Sequence, residues 1–172
     1  MGSLRLAYWG RLAFRNFAAI LGPVNFRVEG PMPQTITYGF KQMLAEAEAE
    51  IETIAVEDAV KQFPNGAVGR DDVVLVDLRD PREREREGKI PGAFSCTRGM
   101  LEFWIDPESP YGKPIFLEDK KFVFFCAGGW RSALAAQTAK KMGLKPVAHI
   151  AGGFGAWKKA GGVIEAPEPR KG

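Results

Sequence analysis

Three continuous apolar runs of strand length constrain the fold of this chain most: Val73-Val74-Leu75-Val76, Phe122-Val123-Phe124-Phe125 and the stretch Pro146 to Ile150. A strand with one wet face alternates apolar and polar residues. These runs do not alternate, so both of their faces need cover, as in a parallel sheet flanked by helices. Helical patterns lie between and before them. Phe40, Met43, Leu44, Ala47 and Ile51 recur at helical spacing, and Ala133 to Met142 forms a second such stretch. Strands alternating with helices predict an α/β fold around a parallel sheet. Ligands in such folds sit at the carboxyl ends of the strands. Asp77, Cys126 and Gly152 fall at those ends.

Cys126 is the chemically distinctive one. It ends an apolar strand and opens the run Cys126-Ala127-Gly128-Gly129-Trp130-Arg131-Ser132, which leads into a helix. Successive backbone N–H groups in a Gly-rich turn form an anion-binding nest. The helix start adds amides without acceptors and the positive end of the dipole. Arg131 adds a full charge. Together these predict that Cys126 is favoured as an anion, or as the carrier of an anionic group such as a persulfide. Most cysteines that end apolar strands are only small buried hydrophobes. The glycines and Arg131 set Cys126 apart from them, whereas Cys96 has no such setting and reads as a plain buried thiol.

Other residues exclude other chemistries. Two cysteines in 172 residues make no disulfide scaffold and fit a reducing compartment, so a cytoplasmic location is expected. A single histidine, His149, leaves neither a His-based metal site nor a Cys–His pair to build, and no metal or cofactor is expected. The net charge of +3 is unevenly placed. Residues 1–31 hold four arginines and one acid, and the chain from Met32 onward holds 20 basic and 20 acidic residues. The body is therefore neutral and gives no footprint for nucleic acid.

Four segments follow. Residues 1–31 form a basic, apolar extension that reads either as an upstream extension without function or as a membrane-surface helix or organellar transit peptide. Residues 32–50 are a helical lead-in, residues 51–166 the main domain and residues 167–172 a tail. Within the main domain, Pro64-Asn65-Gly66 reads as a turn. The alternating charges of Arg82 to Glu87 read as a solvated helical turn, and Phe94-Ser95-Cys96 as a short strand. His149 reads as a satisfied strand histidine, and Trp104 and Trp157 as core residues. For Trp130, shaping the pocket and simple packing stand level.

Four runs in order resemble the rhodanese-like (thiosulfate sulfurtransferase) domain family, single-domain type. They are Val73 to Asp80, Gly88-Lys89-Ile90-Pro91-Gly92-Ala93, Cys126 to Ser132, and Ile150 to Gly161. The resemblance implies a three-layer α/β/α sandwich and sulfur transfer through a persulfide on Cys126. It implies that Ala127, Gly128, Gly129, Trp130 and Ser132 cradle the substrate and that Arg131 closes the loop. Asp77 and Arg79 match the pair that braces the site. The implied partners are a small sulfur donor and a thiol or protein-cysteine acceptor. The chain departs from the family pattern at Lys89, where many members carry His, and at Cys96, where a thiol is unusual.

Two rival readings stand beside this one. A cysteine phosphatase or arsenate reductase uses the same thiolate in a nest. Its loop is Cys-x5-Arg, one residue longer than Cys126 to Arg131, and a His often precedes its cysteine where this chain has Phe125. A non-catalytic interaction module of the same fold has commonly lost the cysteine that is present here.

Overall fold

The computed structural model describes residues 34–167. The chain divides into two units, one ending at Ile36 and one beginning at Thr37, and the second carries the fold described below. The expectations for residues 1–31 and for all but the first residue of the tail lie outside the described residues.

In the second unit the chain runs through α1 (Phe40–Glu50), β1 (Glu52–Ile54), α2 (Val56–Gln62), β2 (Pro64–Ala67), β3 (Val73–Asp77), α3 (Pro81–Glu87) and β4 (Phe94–Ser95). It continues through α4 (Leu101–Ile105), β5 (Lys121–Phe125), α5 (Trp130–Lys141), β6 (Val147–Ile150) and α6 (Gly153–Lys159). Five strands form one sheet in the order β1-β6-β5-β3-β4, and every neighbouring pair is parallel. The three apolar runs are β3, β5 and β6, which are the three interior strands of that order, and this is why they tolerate no polar face.

The pleat divides their side chains between two cores. Val74, Val76, Phe122 and Phe124 face Leu44, Ala47, Leu101 and the alanines of α5. Val73, Leu75, Val123, Phe125, Ala148 and Ile150 face Ala59, Phe63, Phe154 and Trp157. The result is three layers, α/β/α. Full burial of a Phe or Leu side chain contributes about 1.5–3 kcal/mol, so the central strands anchor the fold. The fully buried side of α5 carries Ala133, Ala135, Ala136 and Ala139. Small residues there let the helix lie close on the sheet. Register then sets the position of the site. Asp77 lies opposite Phe125, and the Leu78 N–H donates to the Phe125 carbonyl at 2.9 Å. The strand ends after β3 and β5 are thus side by side.

Two local stretches are defined more finely by the structure. Pro64-Asn65-Gly66 turns, with the Gly66 N–H donating to the Phe63 carbonyl at 2.9 Å, and the same residues begin β2, which lies outside the five-stranded sheet. Gly66, at φ 66°, runs against the Pro91 carbonyl where a side-chain carbon would collide, and Ala67 donates to that carbonyl at 2.8 Å. The helix of the lead-in ends at Glu50, where the sequence placed the boundary. Ile51 is extended, and Glu52–Ile54 joins the sheet edge by pairing with β6. Among the described residues no helix is long and apolar enough to cross a membrane.

Helix α1 packs on α5 and places Leu44 and Ala47 in the same core as the central strands. Leu44→Ala should therefore lower stability by about 2–4 kcal/mol, the range for a large-to-small core change. Urea unfolding would measure this, and a loss below about 0.5 kcal/mol, typical of a surface change, would show that α1 is peripheral.

Candidate active site

Cys126 follows β5 and is 1% exposed. The chain then turns through Ala127-Gly128-Gly129 and enters α5 at Trp130. Gly129, the residue before the helix, has φ 95°, a left-handed conformation that glycine adopts without strain. That turn brings the Gly129 N–H within 3.2 Å of the Cys126 sulfur, to which it donates. Cys126 thus sits at the start of α5, where the first helical amides lack intrahelical acceptors.

A second Gly-rich turn holds the first. The Phe154 N–H donates to the Cys126 carbonyl at 2.7 Å, and the Gly155 N–H donates to the Ala127 carbonyl at 3.0 Å. These amides belong to the first turn of α6, so two helix starts share one job: α6 holds the loop carbonyls, while the start of α5 faces the sulfur. The fit is close. A side-chain carbon at Gly153 would collide with the Cys126 carbonyl oxygen, and one at Gly129 would lie 3.0 Å from the Gly152 nitrogen. The sequence pattern contained Gly152 to Gly155 but assigned them no role.

Arg131 lies at the loop end as expected, with a difference. Both of its terminal nitrogens donate to Glu83, each at 2.8 Å. The hydrogen bonds from Arg131 hold the Glu83 carboxyl down to about 2, against an opposing effect of burial. Arg131 is in turn held in its charged form, first by Glu83 and to a lesser extent by the neighbouring Cys126 sulfur. Its charge is therefore shared with a carboxylate rather than directed at the loop alone. Glu83 is the residue that sequence reasoning missed, because the run Arg82 to Glu87 read as a solvated surface. The run is α3, capped by a reciprocal box: the Asp80 carboxylate accepts from Arg82, and the Glu83 carboxylate accepts from the Asp80 N–H at 2.9 Å. The box orients Glu83 toward Arg131. Asp followed three residues later by Glu was the available signal.

Asp77 and Arg79 brace the neighbouring strand end. Arg79 is wholly buried, donates to both oxygens of Asp77, the shorter contact being 2.7 Å, and donates to the Gly88 carbonyl at 2.9 Å. Its guanidinium carbon lies 3.6 Å from the centre of the Phe154 ring. The pair thus supports the first turn of α6, and through it the cysteine loop.

Ser132 and His149 form a further buried link. The Ser132 hydroxyl donates to the Gly129 carbonyl at 2.9 Å and lies 3.4 Å from His149 Nδ1. Thr53 Oγ1 lies 3.1 Å from His149 Nε2. One arrangement satisfies all of these groups: Thr53 donates to Nε2, and the Nδ1–H donates to Ser132. Burial pushes the imidazole below its ordinary value, partly opposed by Glu48 and by the Gly129 carbonyl. His149 is thus a satisfied strand residue that backs the loop from behind.

The pocket over the sulfur holds about 350 Å3 and is lined by Cys126, Gly128, Trp130 and Arg131. Trp130 points outward and is 63% exposed, whereas Trp157 is fully buried and donates to the Val163 carbonyl. Cys96 is wholly buried, and its thiol is pushed up to about 12, first by burial and then by the charge of Glu102. Burial and the raised value both disfavour the thiolate there. Among the described residues no cluster of His, Cys, Asp or Glu could hold a metal ion.

The model of the Rhodanese-like domain matches residues 61–160. This chain belongs to the rhodanese-like domain family. Its sheet and its cysteine loop at the end of β5 lie within the matched region, apart from β1. A sulfurtransferase of Allochromatium vinosum is 33% identical over 98 residues, 57% of this chain and 83% of that protein. The tRNA uridine(34) hydroxylase of Acinetobacter baumannii is 32% identical over 125 residues, 67% of this chain, but the chain spans only 38% of the hydroxylase's length. The solved structure of a Rhodopseudomonas palustris protein of unknown function, described as a possible tyrosine phosphatase, is 70% identical with a TM-score of 0.74. It aligns over 78% of this chain and all of its own.

Two outcomes are expected from the bracing groups. Asp77→Asn strands the buried Arg79 guanidinium and should lower stability by about 3–5 kcal/mol, the range for breaking a buried ion pair; chemical unfolding would show less than about 1 kcal/mol if the pair were idle. His149 has a folded value below the 6.5 that the unfolded chain adopts, so the unfolded state binds the extra proton first. Stability should be intact above that pH and fall as pH drops below about 6.5. His149→Asn should flatten this part of the stability–pH curve, and an unchanged slope would show that the imidazole is not held neutral.

Proposed function

We propose that the protein is a sulfurtransferase that carries a sulfane sulfur on Cys126. The observation that supports this reading most is the Gly129 N–H aimed at the Cys126 sulfur beneath an open pocket. A donor placed at that point can stabilise negative charge on the sulfur or on a sulfur bound to it. With thiosulfate as donor, the Cys126 thiolate attacks the outer sulfur. The bond between the two thiosulfate sulfurs breaks, its electron pair leaves with sulfite, and Cys126 holds a persulfide. A thiophile then attacks the outer persulfide sulfur and returns the electron pair to Cys126. This is two-step covalent catalysis, and it needs no external oxidant or reductant. Ala127, Gly128, Gly129, Trp130 and Ser132 would form the cradle, Arg131 would close it, and Asp77 with Arg79 would keep it in place. The partners on this reading are a small sulfur donor and a thiol acceptor.

The phosphatase reading draws on the description of the Rhodopseudomonas palustris relative. Three observations weigh against it. Four residues, not five, separate Cys126 from Arg131, which leaves fewer amides to face phosphate oxygens. Arg131, which would have to bind the phosphate, already donates to both oxygens of Glu83. Among the described residues no carboxylate lines the pocket to protonate a leaving group.

The two readings separate in parallel assays of thiosulfate–cyanide transfer and aryl-phosphate hydrolysis. Transfer should be present in the wild type, retained in Cys96→Ser and abolished in Cys126→Ser. Phosphate hydrolysis should stay at the background of Cys126→Ser. Hydrolysis that depends on Cys126, without sulfur transfer, would establish the phosphatase instead.

A further inference from the structure

Phe40 and Trp130 are large aromatic residues left in the open. Phe40 is 51% exposed and Trp130 is 63% exposed, and their ring centres are 5.3 Å apart at 41°. Neither position is needed to fill the core. Trp130 is the first residue of α5 and lines the Cys126 pocket. Phe40 is the first residue of α1, outside the region that the family model matches, and the packing of α1 on α5 brings it to the Trp130 ring. Gly128, on the same pocket, has open space where a side chain would point. The sulfur is therefore approached past an aromatic wall on one side and a bare backbone on another.

The charge of the pocket favours the same kind of occupant. Among the described residues that line it, the cation Arg131 is matched by Glu83, so no uncompensated charge on them attracts an anionic body. A small charged thiophile gains little at this rim, whereas a flat apolar group can stack on exposed ring faces and bury them from water.

We propose that Phe40 and Trp130 form an acceptor subsite that selects small thiols with a flat apolar body, an inference that rests on the sulfur-transfer reading of Cys126. The acceptor's ring lies against the aromatic pair while its thiolate attacks the outer sulfur of the Cys126 persulfide. A new S–S bond forms between acceptor and outer sulfur, and the bond to Sγ breaks. The electron pair returns to Cys126 as thiolate, and the acceptor leaves as its hydropersulfide. No co-reactant is required.

Two readouts test the subsite and the chemistry separately. First, binding of benzyl mercaptan to the unloaded Cys126→Ser protein is followed by saturation-transfer NMR. It should give a clear signal that 2-mercaptoethanol does not, and that signal should fall when Phe40→Ala is added. Second, protein loaded with sulfur from inorganic polysulfide, with loading verified by intact mass, is mixed with either thiol; the two have similar thiol acidity. The benzyl mercaptan rate divided by the 2-mercaptoethanol rate should be about tenfold above unity, the scale of one good aromatic contact. Phe40→Ala should reduce that ratio at least threefold, and Phe40→Tyr should restore it. Because Phe40 is exposed at a helix start, its substitution should leave the fold intact. Failure to load sulfur would overturn the sulfur-transfer reading, while the NMR signal still decides the subsite. Loading with a ratio near unity, a ratio unmoved by Phe40→Ala, or no NMR difference between the thiols would overturn the subsite.

Discussion

The contact between two Gly-rich turns holds the candidate site together. Amides of Phe154 and Gly155 take the carbonyls of Cys126 and Ala127, at a separation too small for any side chain at Gly153. Those two held carbonyls fix the start of the turn, and the left-handed Gly129 that completes it points its own amide at the sulfur. The site thus depends on β5 and β6 being parallel neighbours that end together, which their register provides. Removing the apolar runs that make those strands central would remove the sheet and the site with it.

The charged groups form a second tier around that contact. Arg79 is wholly buried and paired with Asp77, leaving its Nη1 without a hydrogen-bond partner among the described residues, and its guanidinium lies on Phe154, next to the amides that hold the loop. Glu83 is oriented by the cap of α3 and fixes Arg131. Buried ion pairs of this kind add little net stability compared with apolar packing. Their value here is positional, since each guanidinium is locked in one place by two-point contact. Ser132 and His149 do the same from the interior face without a net charge. The cysteine loop is therefore held from three sides and open on the fourth, where Trp130 stands.

Much of this was legible in the sequence because it is local. The three apolar runs identified the interior strands, and the Cys126 to Ser132 run carried the turn and helix start on its own residues. What was not legible depends on distant partners. Glu83 looked like one member of an alternating charge run, since nothing near it in sequence indicates Arg131, 48 positions away. Gly66 was legible as part of a turn, but its close approach to the Pro91 carbonyl at a left-handed φ of 66° was not. The pairing of Phe40 with Trp130 was equally hidden, because it exists only when α1 packs on α5. In each case the sequence contains the group and the fold supplies its neighbour.

The claim on which everything functional rests is that the sulfur on the Gly129 amide, and not the deeply buried Cys96 thiol, is the carrier. Peptide-level mass spectrometry after brief incubation of the intact protein with thiosulfate, quenching with an alkylating agent and digestion tests it directly. One added sulfur should appear on the peptide that contains Cys126, vanish on treatment with dithiothreitol, and be absent from the peptide that contains Cys96. Sulfur on the Cys96 peptide, or on neither, would contradict it.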